Sequence, residues 1–351
     1  MKILVINPGA TSTKIAVFEE EQELLRCGID HSAAELAPFQ RVADQMSYRK
    51  ELILNTLTEN GCSMEDFDAV CGRGGLLHHI PSGTYAVNDR VIEDILHPVY
   101  GEHASNLGAY IAKELGDSVG IPAFFVDPVC VDELSDLARF SGLKGIERES
   151  FFHALNQKSV ARKAAAELGC AYTDCNLIVV HLGGGVSVAA HQRGQVVDNY
   201  NVKDDGSMGL DRPGALPVNA VVNLCFSGKT KQEVKRLIGS EAGVCSYLGT
   251  KDFREIESRA FGGDPYAMQV FRALAYQLSK DIGAMAAVLR YEVDAVVYTG
   301  GMAYSRRFCD EISSYVSRLA PILRFPGEEE MRSLAEGALR AMRNGDAKVY
   351  Q

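Results

Sequence analysis

Long apolar runs are missing from this chain of 351 residues. No stretch approaches the ~20 apolar residues that span a bilayer, so a membrane is not an expected partner. The opening run from Met1 to Ile6 breaks at Asn7-Pro8-Gly9; it is too short for a signal-peptide core and reads as a strand. A basic excess is missing as well: 36 Lys and Arg stand against 46 Asp and Glu, a formal net charge of −10. That excludes the global positive footprint of a nucleic-acid binder but leaves room for a local pocket that takes small anions. The nine cysteines include no C-x-x-C pair. An odd count without that spacing argues against zinc and against a disulfide framework, and predicts thiols in a reducing cytoplasm.

The remaining composition, 46% hydrophobic and 23% charged, is that of a globular protein with the length for two domains. Strands are expected at 3–6 and 14–18, joined by the turn-forming residues 7–13. Helical periodicity follows over 38–57, a short strand at 69–71 ending in Gly72-Arg73-Gly74-Gly75, a helix at 104–115 and a strand at 123–126 ending in Asp127-Pro128. Around residue 150 the pattern begins again. A helix at 152–168 leads to a strand at 177–180, the turn His181-Leu182-Gly183-Gly184-Gly185, and a returning strand at 186–190. Residues 3–9 resemble 178–183, with Asn7 opposite His181, 174 positions apart. This suggests two related halves. Later come a long helix at 266–289 behind Asp264-Pro265, a strand at 295–298 ending in Thr299-Gly300-Gly301, a helix to about 319 and a final amphipathic helix over 331–342.

Three apolar strands thus end in glycine-rich turns, at 7–13, 183–185 and 300–301. Each alone is an ordinary tight turn. Together they suggest backbone N–H groups that hold phosphate oxygens, with hydroxyls from Thr11, Ser12 and Thr13 and the charge of Lys14 added at the first. Two familiar phosphate motifs are excluded. Gly228-Lys229-Thr230 has the tail of a Walker A loop, but Asn223 occupies its first glycine position. The turn after the first strand lacks two glycines of a dinucleotide fingerprint and leads into a strand, not a helix. Protein-kinase signatures are absent too.

Asn7-x-Gly9-x-x-Ser12-x-Lys14, His181-Leu182-Gly183-x-Gly185 and Thr299-Gly300-Gly301 resemble the phosphate and adenosine motifs of the acetate kinase family, in the acetate- and sugar-kinase/heat-shock/actin superfamily. Further segments match in order: Gly72-Arg73-Gly74-Gly75, Phe124-Phe125-Val126-Asp127, Phe152-His153, Asp205-Gly206-Ser207-Met208-Gly209 and Pro326-Gly327-Glu328-Glu329-Glu330. Gly183-Gly184-Gly185, Arg212-Pro213-Gly214-Ala215-Leu216-Pro217 and Ala335-Glu336-Gly337-Ala338 are most similar to the shorter butyrate kinase branch.

The resemblance implies two actin-like, ribonuclease H-like α/β domains with mixed sheets flanked by helices around a central cleft. The first would be residues 1–149 joined by the C-terminal helix in 327–351, and the second, nucleotide-binding, 150–326. It implies a phosphotransferase with a carboxyl acceptor, using ATP/ADP and Mg2+. Butyrate or a branched short-chain fatty acid would be phosphorylated reversibly to an acyl phosphate. Acetate or propionate is the alternative acceptor, and a non-enzymatic ATP-switched actin-like protein the rival outside the enzyme class. Family members form homodimers or larger homo-oligomers.

The chemistry gives each residue a role. A carboxylate attacking the γ-phosphorus carries no proton at neutral pH, so the site needs positive groups and a metal rather than a base. Arg73 has the planar fork for two-point anion binding, and the resemblance makes His153, otherwise readable as a helix-terminal histidine satisfied in the core, a donor to the phosphoryl group. By resemblance, Arg212 is a second arginine, Asp127 organises Mg2+ with Glu329 or Glu330, and His103 lies near the substrate. Likewise Asn7, Ser12, Lys14, His181, Gly183, Gly184, Gly185, Gly300 and Gly301 hold the nucleotide. Ala10 stands where acetate members often have serine.

Overall fold

The computed structural model describes all 351 residues. They form two compact units, Met1–Asp132 with Glu329–Gln351, and Glu133–Glu328. In the first, β1 (Lys2–Pro8), β2 (Ser12–Glu19), β3 (Gln22–Asp30), β4 (Ala69–Arg73), β5 (Thr84–Ala86) and β6 (Ala123–Val126) make a mixed sheet with the C-terminal strand Lys348–Val349. Its order is Lys348–Val349, β5, β6, β4, β1, β2, β3. Ile3, Leu4, Val5 and Ile6 are 0% exposed, as expected of a central strand covered on both faces. β1, β4 and β6 run parallel and adjacent, so their C-terminal ends bring Asn7, Arg73 and Asp127 to one edge of the sheet.

Glycine lets the layers close there. A Cβ at Gly72 would lie 1.9 Å from the Gly108 carbonyl oxygen of the helix Asn106–Val119, and one at Gly108 would lie 2.4 Å from the Arg73 carbonyl oxygen. The C-terminal helix Glu330–Asn344 packs through Gly337, where a Cβ would lie 2.6 Å from a Val126 methyl.

In the second unit a small hairpin, β7 (Phe140–Leu143) and β8 (Ile146–Glu147), precedes a five-stranded sheet. The sheet comprises β9 (Asn176–Leu182), β10 (Val186–Gln192), β11 (Gln195–Asn199), β12 (Ala295–Gly300) and β13 (Ile322–Pro326), in the order β11, β10, β9, β12, β13. The buried helix Ala154–Glu167 covers one face and the long helix Pro265–Val288 packs on the other apolar cluster. The first sheet contains the same pattern as β3, β2, β1, β4, β6: three antiparallel strands, then two added in parallel. β1 starts at Lys2 and β9 at Asn176, which is the spacing of the internal repeat.

Several elements differ from the sequence reading. β3 and β11 were not expected, because each is a sheet edge rich in polar residues, and β3 alternates exposed and half-exposed positions. The helix expected over 38–57 begins at Met46; ahead of it Ala33–Leu36 forms its own short helix, closed by a Ser32–Glu35 capping box. A single 3₁₀ turn, Gly301–Tyr304, precedes the helix Arg306–Val316. Residues 133–149, assigned from sequence to the first domain, pack with the second unit. Long-range ion pairs hold them: Glu133 with the buried Lys158 at 2.6 Å, and Arg148 with Asp198 at 2.9 Å and Asp205 at 3.3 Å. No helix is long and apolar enough to cross a membrane, and the cysteines carry thiols rather than disulfides.

Candidate active site

In the first unit Arg73 lies at the end of β4 with its side chain 31% exposed. Its guanidinium meets both oxygens of Glu330, Nη1 to Oε2 at 2.9 Å and Nη2 to Oε1 at 2.8 Å. Asn7, buried at the end of β1, joins them: its Nδ2 donates to Glu330 Oε2 at 2.7 Å and its Oδ1 accepts from Arg73 Nη1 at 3.2 Å. The three consecutive glutamates therefore separate. Glu330 faces Arg73 and Asn7, Glu329 turns toward Arg332 at 4.0 Å, and Glu328 belongs to the second unit. The glycines beside Arg73 have a packing explanation, since Gly72 abuts Gly108 and a Cβ at Gly75 would lie 2.0 Å from Asn106 Oδ1. The case for Arg73 rests on the polar group it joins.

Asp127 follows β6 with φ 37°, the left-handed region. Aspartate tolerates it locally, and it is held there: Asp127 N–H donates to the Gly83 carbonyl at 3.0 Å, while Oδ1 accepts from Gly83 N–H at 2.8 Å and Ser82 Oγ–H at 2.7 Å. Across the hairpin from Asn7 is the exposed Lys14, its antiparallel partner. The connecting turn is tied by Gly9 N–H to the Ser12 carbonyl at 2.7 Å. His103 is exposed at the start of the helix Asn106–Val119, where its Nδ1 bonds the Ser105 hydroxyl at 2.8 Å.

Sequence reasoning missed Arg49. It occupies the buried stripe Arg49, Ile53, Leu57 of the helix Met46–Glu59, a spacing that signals a core-facing position. It is 0% exposed and all its hydrogen bonds go to neutral acceptors. Nη1 donates to the Gly9 carbonyl at 2.9 Å, the Ser12 carbonyl at 3.2 Å and Thr13 Oγ1 at 3.0 Å; Nη2 donates to the Ala10 carbonyl at 3.2 Å. Burial lowers its pKa, yet a guanidinium stays charged in a protein. The turn 9–13 is thus moulded around a buried cation.

In the second unit, β9 and β12 are parallel neighbours; β9 runs into the glycines that follow Leu182, and β12 ends in Gly300. Gly300, at φ 87°, is obligatory: a Cβ would lie 2.4 Å from the Leu182 carbonyl oxygen. At Gly183 a Cβ would lie 2.9 Å from His181 Nε2, whereas Gly184 and Gly301 face open space. At Gly185 it would lie 3.3 Å from Arg212 Nη1 and 3.7 Å from His153 Nε2, so both side chains converge on this turn. His153 and His181 stack in parallel, with centroids 3.7 Å apart. His181 Nδ1 lies 2.8 Å from Asn156 Oδ1, and its Nε2 lies 3.0 Å from Glu328 Oε1. Leu210 N–H donates to the Gly184 carbonyl at 3.2 Å, fixing the loop 205–210 beneath the turn. That loop is held from behind by Asp281, which accepts from Ser207 N–H at 2.7 Å, and by Gln277, which accepts from Met208 N–H at 2.9 Å.

The model of the Acetokinase family matches residues 140–318. The chain belongs to the acetokinase family. Its members are carboxylate kinases that use ATP and ADP. Acetate kinase from Porphyromonas gingivalis is similar in structure at 20% identity, covering 97% of this chain and 99% of its own, with a TM-score of 0.80. A propionate kinase from Francisella tularensis matches at 19% identity over 96% and 98%, TM-score 0.75. Acetate kinase from Entamoeba histolytica matches at 15% over 97% and 99%, TM-score 0.77. The fold of this acetokinase is accordingly the actin-like α/β fold, with mixed sheets and flanking helices.

Proposed function

We propose that this acetokinase transfers the γ-phosphate of ATP reversibly to butyrate or a branched short-chain fatty acid, giving an acyl phosphate and ADP. The observation that carries the carboxylate chemistry is Arg73, whose guanidinium already grips a carboxylate through both oxygens. The same two-point contact suits an acceptor carboxylate or a phosphoryl oxygen pair. The glycine turns at 183–185 and 300–301 support nucleotide phosphate binding by the second unit, and the turn over Arg49 supports phosphate binding by the first. His153 and Arg212, meeting at Gly185, supply donors where charge develops on the phosphoryl oxygens.

Mg2+ would neutralise the nucleotide phosphates when bound. No three His, Cys, Asp or Glu side chains converge to hold a metal unaided. The donor set fits an ion that keeps its waters and substrate phosphates and takes one or two carboxylates. Glu330 and Asp127 are those candidates. One Asp127 oxygen is committed to Ser82 and Gly83, which supports a water-mediated role.

Preference for a four-carbon acceptor rests on the sequence features of the shorter branch. Acetate or propionate is the competing acceptor, because the similar structures are acetate and propionate kinases. Self-association is supported by apolar side chains left exposed in the second unit: Phe140 at 80% and Leu143 at 66% on the hairpin, Val218 at 76% and Phe226 at 87% around the helix Val218–Cys225. Thiol-bearing cysteines support a reducing compartment such as the cytoplasm. The test runs the reaction backward: MgADP and butyryl phosphate should yield ATP faster than MgADP and acetyl phosphate. Failure with every acyl phosphate overturns the reading.

A further inference from the structure

A buried chain of polar side chains leads away from His153 into the second unit. Ser187 Oγ lies 2.9 Å from His153 Nδ1, and Gln157 Nε2 lies 2.8 Å from the same Oγ. Gln157 Oε1 lies 3.0 Å from His191 Nε2, and His191 Nδ1 lies 2.7 Å from the Tyr172 hydroxyl. Ser187, Gln157 and His191 are 0% exposed. Buried polar groups at such distances are hydrogen-bonded, and the direction of every bond can be worked out.

The fixed point is the Ser187 main-chain carbonyl, which can only accept. Gln157 Nε2 lies 3.1 Å from it, so the amide NH2 of Gln157 faces Ser187 and its oxygen faces His191. That oxygen can only accept, so His191 carries its proton on Nε2. Burial, with the charges of Lys158 and Arg162, holds the His191 pKa well below the ordinary value. The ring is neutral, and Nδ1 accepts from the Tyr172 hydroxyl. In the other direction, Ser187 Oγ accepts from Gln157 and, more weakly, from His153 N–H at 3.5 Å. Both lone pairs are then engaged. The serine hydrogen goes to His153 Nδ1, and a neutral imidazole with Nδ1 accepting bears its proton on Nε2.

We infer that Ser187, Gln157, His191 and Tyr172 are positioning residues that lock His153 in the tautomer with the proton on Nε2. His153 then presents a directed N–H at Gly185, beside Arg212 Nη1, before any ligand arrives. On the carboxylate-kinase reading proposed above, this N–H is a preset donor to the phosphoryl group rather than a proton acceptor. The opposite tautomer would aim a lone pair at phosphate oxygens and repel them.

The test is a long-range ¹⁵N–¹H spectrum of the ligand-free, histidine-labelled full chain at neutral pH, with His153 assigned by its loss in His153→Gln. The expected result is a protonated-type shift at Nε2 and a lone-pair-type shift at Nδ1. A proton on Nδ1, or an even mixture, overturns the inference without touching the kinase reading. Ser187→Ala removes the donor, so His153 should become a tautomer mixture. kcat should then fall on the order of 10-fold or more while KM for ATP changes by no more than about 2-fold. Gln157→Met frees the serine hydroxyl and should shift the same ratio less. A His153 tautomer unchanged in both variants overturns the inference. Absence of acyl-phosphate formation by the wild type would instead overturn the kinase reading and leave the tautomer standing.

Discussion

Arg49→Met gives the most direct probe of the first glycine turn. The substitution keeps an unbranched side chain of similar reach on the buried face but removes six hydrogen bonds and one positive charge. The Ser12 carbonyl keeps Gly9 N–H as a partner, and Thr13 Oγ1 keeps His31 Nε2 at 2.8 Å. The Gly9 and Ala10 carbonyls lose the guanidinium. Each buried orphan costs about 1–3 kcal/mol, but Ala10 is exposed and can bond water instead. Relief of a buried, carboxylate-free charge offsets part of the loss. The expected net destabilisation is about 2–3 kcal/mol, with Tm falling by several degrees. The larger effect should be functional, because the turn loses both its mould and the cation behind it: affinity for MgATP should fall on the order of 10-fold, about 1.4 kcal/mol. Arg49→Lys keeps charge but offers three donors from one atom, and should recover affinity only in part. Thermal unfolding and calorimetric titration with MgATP check both quantities. An Arg49→Met protein with unchanged Tm and unchanged affinity would refute the reasoning.

Arg73→Ala should lower kcat/KM on the order of 10³-fold with little change in ATP affinity, and Arg73→Lys should restore only a fraction, since an ammonium lacks the two-point contact; near-normal kcat in steady-state assays would remove Arg73 from the site. Gly184→Val meets open space in the folded chain, so Tm should hold while calorimetry reads weaker ATP binding; equal affinity would return the turn to a purely structural role. Asp281 is raised to about 6 by burial, against bonding from Ser207. A carboxyl whose folded pKa exceeds its unfolded value of ~3.8 contributes stability below that value and loses it as pH rises through about 6. Relative to wild type, Asp281→Asn should therefore gain on the order of 2–3 kcal/mol between pH 4 and pH 7; a difference in unfolding free energy that stays flat across that range would contradict this assignment.

Strands that end in glycine turns were legible because both signals are local: an apolar run such as 3–6 or 177–180, then residues that tolerate a sharp turn. The repeat of that pattern 174 residues on became a shared five-strand topology. Long-range information was not legible. Glu133 and Arg148 look like ordinary surface charges in the sequence, yet their partners Lys158, Asp198 and Asp205 carry residues 133–149 into the second unit. Three identical glutamates give no register, which only the bonds of Glu330 to Asn7 and Arg73 supply. Gly72 and Gly75, in the run that holds Arg73, pack against Gly108 and Asn106, contacts that exist only once the strand and the helix meet. Arg49 was hidden because a charged residue on a helix is normally solvated; its burial depends on carbonyls that converge only when the hairpin forms. Ser187 and Gln157 carry no motif of their own, and their role is visible only once β10 lies against the helix that follows His153.

The central claim is that a short-chain carboxylate accepts the γ-phosphate. Incubating the purified chain with MgATP and each carboxylate from acetate to valerate, straight and branched, in the presence of hydroxylamine traps any acyl phosphate as a hydroxamate. The account predicts product that depends on both ATP and acid, with kcat/KM for butyrate or isobutyrate above that for acetate. Equal or better use of acetate would transfer the assignment to acetate or propionate, and no hydroxamate from any of these acids in folded protein would contradict the account.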